Sequence, residues 1–208
     1  PSTLMVDRFY RLFTSLGLDN HGDPAELTAA LIDWLDSGDT PYQAILTDGA
    51  EIPVAGAERT YYQGLTQPYA VKNGRLETLE ELSLVKGFTP EVVRRVLPHV
   101  SLHDQTMVNI NTASAEVLMA LDLEIDNAVV DELIRYRRET PIESLDQLEE
   151  VVPTVAYSTL KTLGNLKHLG TLSGRYRIEA EAVVNDGRRR LAAEVDKQGN
   201  QLLFFKVN

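Results

Sequence analysis

Apolar residues recur at helical spacing through most of the chain and then switch to a period of two. Val6, Phe9, Tyr10, Leu12, Phe13 and Leu16 predict an amphipathic helix that stops near Gly17. Asp23-Pro24 marks the start of a second helix: the carboxylate can accept from free amides of the first turn, and proline is tolerated where no N–H is needed. Leu27, Leu31, Ile32 and Leu35 carry that helix forward. From Asp36 to Arg75 neither period holds, and Gly, Pro, Asp and Tyr are frequent. A connection of that length inside a compact domain is usually functional or ordered by a ligand.

Helical spacing resumes at Leu76. Residues 76–82 and 142–148 resemble each other, and each holds a capping box, Thr78 with Glu81 and Ser144 with Gln147, in which hydroxyl and acceptor side chain satisfy each other's backbone amides. This predicts an internal pseudo-repeat of a short helical unit, near 76–100 and within 108–165. Beyond Thr171, Tyr176, Ile178, Ala180 and Ala182 alternate with Arg177, Glu179 and Glu181, the pattern of a half-buried strand. Asn185-Asp186-Gly187 reads as a hairpin turn, Arg188 to Val195 as a second strand, and Leu202 to Val207 as a third after the turn-like Asp196 to Asn200. A three-stranded meander with one greasy face needs a cover, and no helix follows it. The fold class is therefore α+β, with helical residues 1–172 and a small antiparallel sheet in 173–208.

Charge sharpens this division. The 208 residues carry 20 Lys+Arg against 31 Asp+Glu, a formal net charge of −11. From Thr171 onward there are seven basic and five acidic residues, which leaves 13 against 26 in residues 1–170. An acidic surface repels phosphates and anionic lipid head groups, so general binding to nucleic acid or to a membrane surface is not expected. The absence of cysteine excludes thiol catalysis, Cys-ligated zinc and disulfides. No apolar run spans a membrane and no signal peptide is present; the start at Pro1 instead of Met is expected of a trimmed chain with its targeting element upstream.

Candidate chemistry is sparse. His21, His99, His103 and His168 have no zinc spacing, no serine sits in a nucleophile elbow, and no Gly-rich phosphate loop occurs, so no catalytic residues are assigned and the chain is not expected to be an enzyme. The carboxylates Asp33, Asp36, Asp39, Asp48, Glu51 and Glu58 in and beside the irregular stretch could supply the hard oxygens that calcium needs, although the spacing is not that of an EF-hand. Trp34, Tyr61, Tyr62, Tyr69 and Tyr10 read as core before binding face. In Arg188-Arg189-Arg190 the middle side chain points away from its neighbours, so no phosphate patch forms. The string Val108-Asn109-Ile110-Asn111-Thr112-Ala113 predicts a rigid loop-to-helix junction, with Asn111 or Thr112 capping a helix that begins near Ala113 and Asn109 bonding the turn. With Ala128 to Leu148 it also resembles a helix-hairpin-helix module, which gives the alternative of a nucleic-acid-binding protein. The hairpin position, Leu121 to Asp126, has no glycine and three carboxylates, which oppose a phosphate.

The ordered set Leu31-Ile32-Asp33-Trp34-Leu35-Asp36, Gly56-Ala57-Glu58 with Tyr61-Tyr62, Gln67-Pro68-Tyr69 with Lys72-Asn73, Leu79-Glu80-Glu81-Leu82 with Val85-Lys86-Gly87-Phe88, and Val108 to Ala113 resembles the type II secretion system protein K family, the large minor pseudopilins. The resemblance covers about residues 6–207. It implies an inserted helical domain with helix-hairpin-helix or SAM-like repeats, a pilin-like β-meander, and an N-terminal pilin helix missing from these residues, which would be the cover of the sheet. It implies a subunit at the tip of the periplasmic pseudopilus, anchored in the bacterial inner membrane through that helix alone, which starts or caps assembly for export of folded proteins. The implied partners are the minor pseudopilins I and J, with H and secreted exoproteins as further candidates. It also implies calcium held by Asp36, Asp39 and Glu58. Gly38 stands where an Asp is typical and Arg59 where another acid is common, so two hard oxygen ligands are lost or displaced.

Overall fold

The computed structural model describes residues 2–43, 56–102, 107–185, 187–197 and 201–207. Helix α1 (Thr3–Ser15) starts at Ser2, whose hydroxyl accepts from the Met5 amide, and ends just before Gly17, which takes a left-handed φ of 63°. That glycine lets the chain reverse into α2 (Pro24–Leu35), capped as expected by the Asp23 carboxylate on the Ala25 amide. The two helices bury Leu12, Phe13, Leu27, Leu31 and Trp34 against Tyr62, Leu82, Val85, Phe88 and Val92 in one apolar cluster. A five-residue helix, α3 (Arg59–Gln63), supplies Tyr62, and α4 (Pro90–Val96) supplies Val92 and Val96.

A second cluster lies further along the chain. Short α5 (Ala115–Met119), α6 (Asn127–Glu139) and α7 (Thr154–Asn165) pack Leu118, Val129, Val130, Leu133, Ala156, Leu160 and Leu163 around Ile110, Ile142 and Leu148. Two short strands, β1 (Val108–Asn109) and β2 (Leu169–Gly170), pair in parallel and tie the start of this body to its end. Both expected capping boxes form, at Thr78/Glu81 and Ser144/Gln147, but each opens a 3-10 turn, Leu79–Leu84 and Leu145–Leu148, instead of an α-helix. Each turn delivers one buried leucine, Leu82 or Leu148, to its cluster, and a helix follows, α4 or α7.

Strands β3 (Arg175–Val184), β4 (Gly187–Asp196) and β5 (Gln201–Val207) form an antiparallel meander in the order β3-β4-β5. The expected turn between the first two contains Asn185 at a positive φ of 52°, the conformation a tight hairpin requires; Asp186 lies outside the described residues. In register, Tyr176, Ile178 and Ala180 oppose Val195, Ala193 and Leu191, which in turn oppose Leu202, Phe205 and Val207. A bulge between Glu194 and Val195 lets Leu202 and Phe205, three apart, meet partners on one face. The other face carries paired charges: Glu181 accepts from both Arg188 (2.8 Å) and Arg190 (3.2 Å). Arg189 instead opposes Ala182, so the three consecutive arginines do not make one patch.

Candidate functional site

The irregular stretch after α2 brings the predicted metal residues into one neighbourhood. Asp33 is wholly buried on the last turn of α2, and its Oδ1 accepts from the Tyr42 amide at 2.7 Å. Asp36 ends the helix and folds its carboxylate back onto the Gly38 amide at 2.8 Å, a local turn that Asp favours. The Asn73 side-chain amide donates to the Gly38 carbonyl at 3.0 Å, and the Gly74 amide to the Trp34 carbonyl at 3.4 Å, so residues 73–74 clamp this loop from the far side. Gly56 is required where the chain returns: a Cβ there would stand 1.9 Å from Asp33 Oδ2 and 2.7 Å from the Ala29 carbonyl. Glu58 follows two residues later, and 5 % of its surface is exposed.

The electrostatics of this group are unbalanced. Neither carboxylate oxygen of Glu58 has a hydrogen-bond partner, nor does Oδ2 of Asp33. Burial, then Glu58, then Asp36 push the Asp33 carboxyl up to about 6, with the Tyr42 and Ala57 amides opposing. The Glu58 carboxyl is raised by burial first and then by Asp36 and Asp39, with the Arg59 amide and charge offsetting part of the effect. Arg59 reaches Asp39 at 3.6 Å, an exposed ion pair that draws Asp39 outward. A buried carboxylate opposed by little more than the Arg59 amide needs a cation or a proton, so Glu58 with its acidic neighbours suits a hard dication that accepts loose oxygen geometry. Among the described residues no three of the carboxylates converge on a single point. Asp48 and Glu51 lie outside the described residues, as do His103 and Asp104. Asp33 had no part in the predicted ligand triad; its position inside the apolar face of α2 was the signal for an inward-pointing acid.

The 108–113 string is a joint. The helix begins at Ala115 with Ser114 as its cap, so neither Asn111 nor Thr112 plays the capping role expected of it. Asn111 faces the other way: its side-chain amide donates to the carbonyls of Ile142 (2.8 Å) and Thr171 (3.0 Å), and its oxygen accepts from the Ile142 amide (2.9 Å). Asn109 behaves as expected, its Oδ1 accepting from the Asn111 amide at 2.9 Å. Arg137 of α6 turns inward and donates to the carbonyls of Ile110 (2.6 Å) and Ala113 (2.8 Å). A cation held in this way is withdrawn from any phosphate. Trp34 and Tyr62 are core, 5.2 Å apart between ring centroids, while Tyr61 is partly exposed with Lys86 over its ring. Burial raises the Tyr62 hydroxyl to about 12.

One face of the sheet is lined by exposed apolar side chains. Ile178, Leu202, Phe205 and Val207 on its apolar face are 48–61 % exposed, and among the described residues of the meander Ala193 in the central strand is the buried one. Solitary apolar side chains at a surface are ordinary, whereas a contiguous face of this kind marks an interface.

The architecture, a helical body followed by an open antiparallel sheet, is an α+β fold found in a component of a bacterial secretion assembly. A chain in the crystal structure of the GspK-GspI-GspJ complex from the enterotoxigenic Escherichia coli type 2 secretion system superposes with a TM-score of 0.66 at 16 % identity, covering 100 % of the present chain and 72 % of that one. The family described as type II secretion system (T2SS), protein K, matches residues 2–105, and a second segment of the same description matches 108–166. The type II secretion system protein K of Aeromonas hydrophila is 28 % identical over 206 residues, and that of Pseudomonas aeruginosa 29 % over 195. The chain belongs to the type II secretion system protein K family. It spans 59 % and 53 % of the length of those two relatives.

Proposed function

We propose that this chain is the periplasmic part of a minor pseudopilin, bound to the minor pseudopilins I and J at the tip of the type II secretion pseudopilus, where it starts or caps assembly for export of folded proteins. The observation that carries this is the bare apolar face of the meander in a protein K chain. A pilin-like sheet is incomplete without a helix laid across it, and the relatives are long enough to supply one. In this reading the same helix anchors the protein in the inner membrane; no described helix is long and apolar enough to cross a membrane. The helical body of residues 1–172 is then an insertion above the sheet of 173–208, with the two turn-helix units around Leu79–Val96 and Leu145–Asn165 as its repeats. Its bulk prevents a further subunit from stacking on top. The work is association and extrusion without covalent chemistry, and pseudopilin H and secreted exoproteins are further candidates for contact.

We further assign calcium to Asp36, Asp39 and Glu58, on the strength of the partnerless Glu58 oxygens and their acidic neighbours. The ion would hold α3 to the end of α2 and neutralise carboxylates that burial and mutual repulsion now disfavour. Calorimetric titration of the chain, carrying its N-terminal helix without the membrane-embedded part, into a mixture of the soluble domains of I and J tests the assembly role. Saturable heat at one chain per I–J pair is expected, and the absence of heat contradicts it.

A further inference from the structure

The first turns of α1 line a cavity of about 460 Å³ that the secretion role leaves unused. Its walls are largely apolar, with Phe9, Leu12, Val100, Val117 and Leu121 among them. A second cleft of about 310 Å³ shares Met5, Phe9, Val100 and Ser101 with it and continues the apolar path along the helix. The charged group in the cavity wall is Arg8.

Two arginines one turn apart on α1 meet different ends. Arg11 uses Nε and one terminal nitrogen to donate to the carbonyls of Ala120 (3.1 Å) and Leu121 (3.3 Å) at the end of α5. The corresponding edge of Arg8, Nε and Nη2, has no acceptor and no exposure to water. Asp122 is the acid near enough to favour the Arg8 charge, but its Oδ1 accepts from the Glu124 amide and makes no bond to Arg8. His168, also in the wall, has a buried Nδ1 without a partner. His99 is engaged, its Nδ1 2.9 Å from the Ser114 hydroxyl and 4.0 Å from Glu116. A guanidinium does not neutralise by losing its proton, so a buried edge without an acceptor is a cation awaiting an anion. Nε and Nη2 lie on the side of the fork that matches the two oxygens of a carboxylate.

We propose that this cavity binds an aliphatic monocarboxylate, with the carboxylate held bidentately by Arg8 and the hydrocarbon lying along α1 against Phe9, Val100 and Leu121. The apolar path excludes small hydrated anions such as phosphate, which have nothing to bury there. Neither nitrogen is open to water in the free chain, so the bidentate contact requires the outer torsions of Arg8 to turn toward the ligand.

The test is an NMR titration of the isotopically labelled chain with octanoate, with octanol and inorganic phosphate as controls. The amides of α1 and of Leu169–Gly170 should shift with octanoate at about 1 mM or below and not with phosphate, and octanol should bind at least about tenfold more weakly. Arg8→Gln should weaken octanoate by about tenfold, while Asp122→Asn, which removes the nearest negative charge, should strengthen it. Leu4→Asp at the exposed rim should weaken it without touching the fork, so the prediction stands even if Arg8→Gln disturbs the fold. Equal binding of octanol and octanoate, no site-specific shifts, or octanoate affinity unchanged in both Arg8→Gln and Leu4→Asp overturns the assignment.

Discussion

Glu58 and Asp33 hold negative charge where the surrounding chain offers it almost nothing to bond. Each carboxyl binds its proton more tightly folded than unfolded; for Asp33 the stability this contributes is full below the ordinary value of 3.8 and is lost as pH rises through about 6, and Glu58, raised by burial first, acts in the same direction. With a chelator present, melting temperature should therefore fall across that interval, and Asp33→Asn should flatten the fall; a rise that Asp33→Asn leaves unchanged would contradict the electrostatics described. Above that interval millimolar calcium should reverse the loss, by about 2.7 kcal/mol where the ion is a hundredfold above its dissociation constant, and magnesium should do less. Glu58→Gln should abolish the calcium response, and a response that survives it would move the ion elsewhere. Asn111 is the other residue with an outsized role. Asn111→Ala removes three hydrogen bonds that join Ile142 and Thr171 to the start of the second body, and a loss of about 2 kcal/mol in urea unfolding is expected. Acids in the irregular stretch were legible from composition alone, and so was the tight turn at Asn109. The inward use of Asn111 and Arg137 was not, because their partners are carbonyls far along the chain, which no local pattern encodes.

At the scale of elements, α1, α2 and the three strands follow directly from apolar spacing and from cap or turn residues at their ends, as at Asp23 and Asn185. The two capping boxes were equally readable, yet they open 3-10 turns. A capping box fixes only how the first amides are satisfied, and tertiary packing of Leu82 and Leu148 decides whether the turn continues. The register of β5 was hidden for a related reason: the bulge at Glu194/Val195 breaks the period of two on which strand faces are read. The sheet supports a prediction of its own. Ile178→Ser with Phe205→Ser should leave the stability of the isolated chain within about 1 kcal/mol, since both side chains are about half exposed, while abolishing calorimetric binding to I and J in the chain that carries the N-terminal helix. A large loss of stability in the isolated chain would mean that the face is already packed and needs no cover.

For the whole molecule, two apolar clusters follow each other along the chain, and the two family segments, 2–105 and 108–166, divide at nearly the same point. The bonds from Arg11 of α1 to the carbonyls of Ala120 and Leu121 at the end of α5 connect them. The excess acid belongs to residues 1–170, so this helical part repels polyanions. Tip placement is the central claim, and the sequence offers a direct way to see it, because the 208 residues contain no cysteine. Leu172, 76 % exposed between the helical body and the sheet, can be replaced by cysteine and labelled with maleimide-gold in the membrane-anchored protein. Electron microscopy of pseudopili assembled with that protein should show gold at one end of each filament, and gold distributed along the shafts would contradict the account.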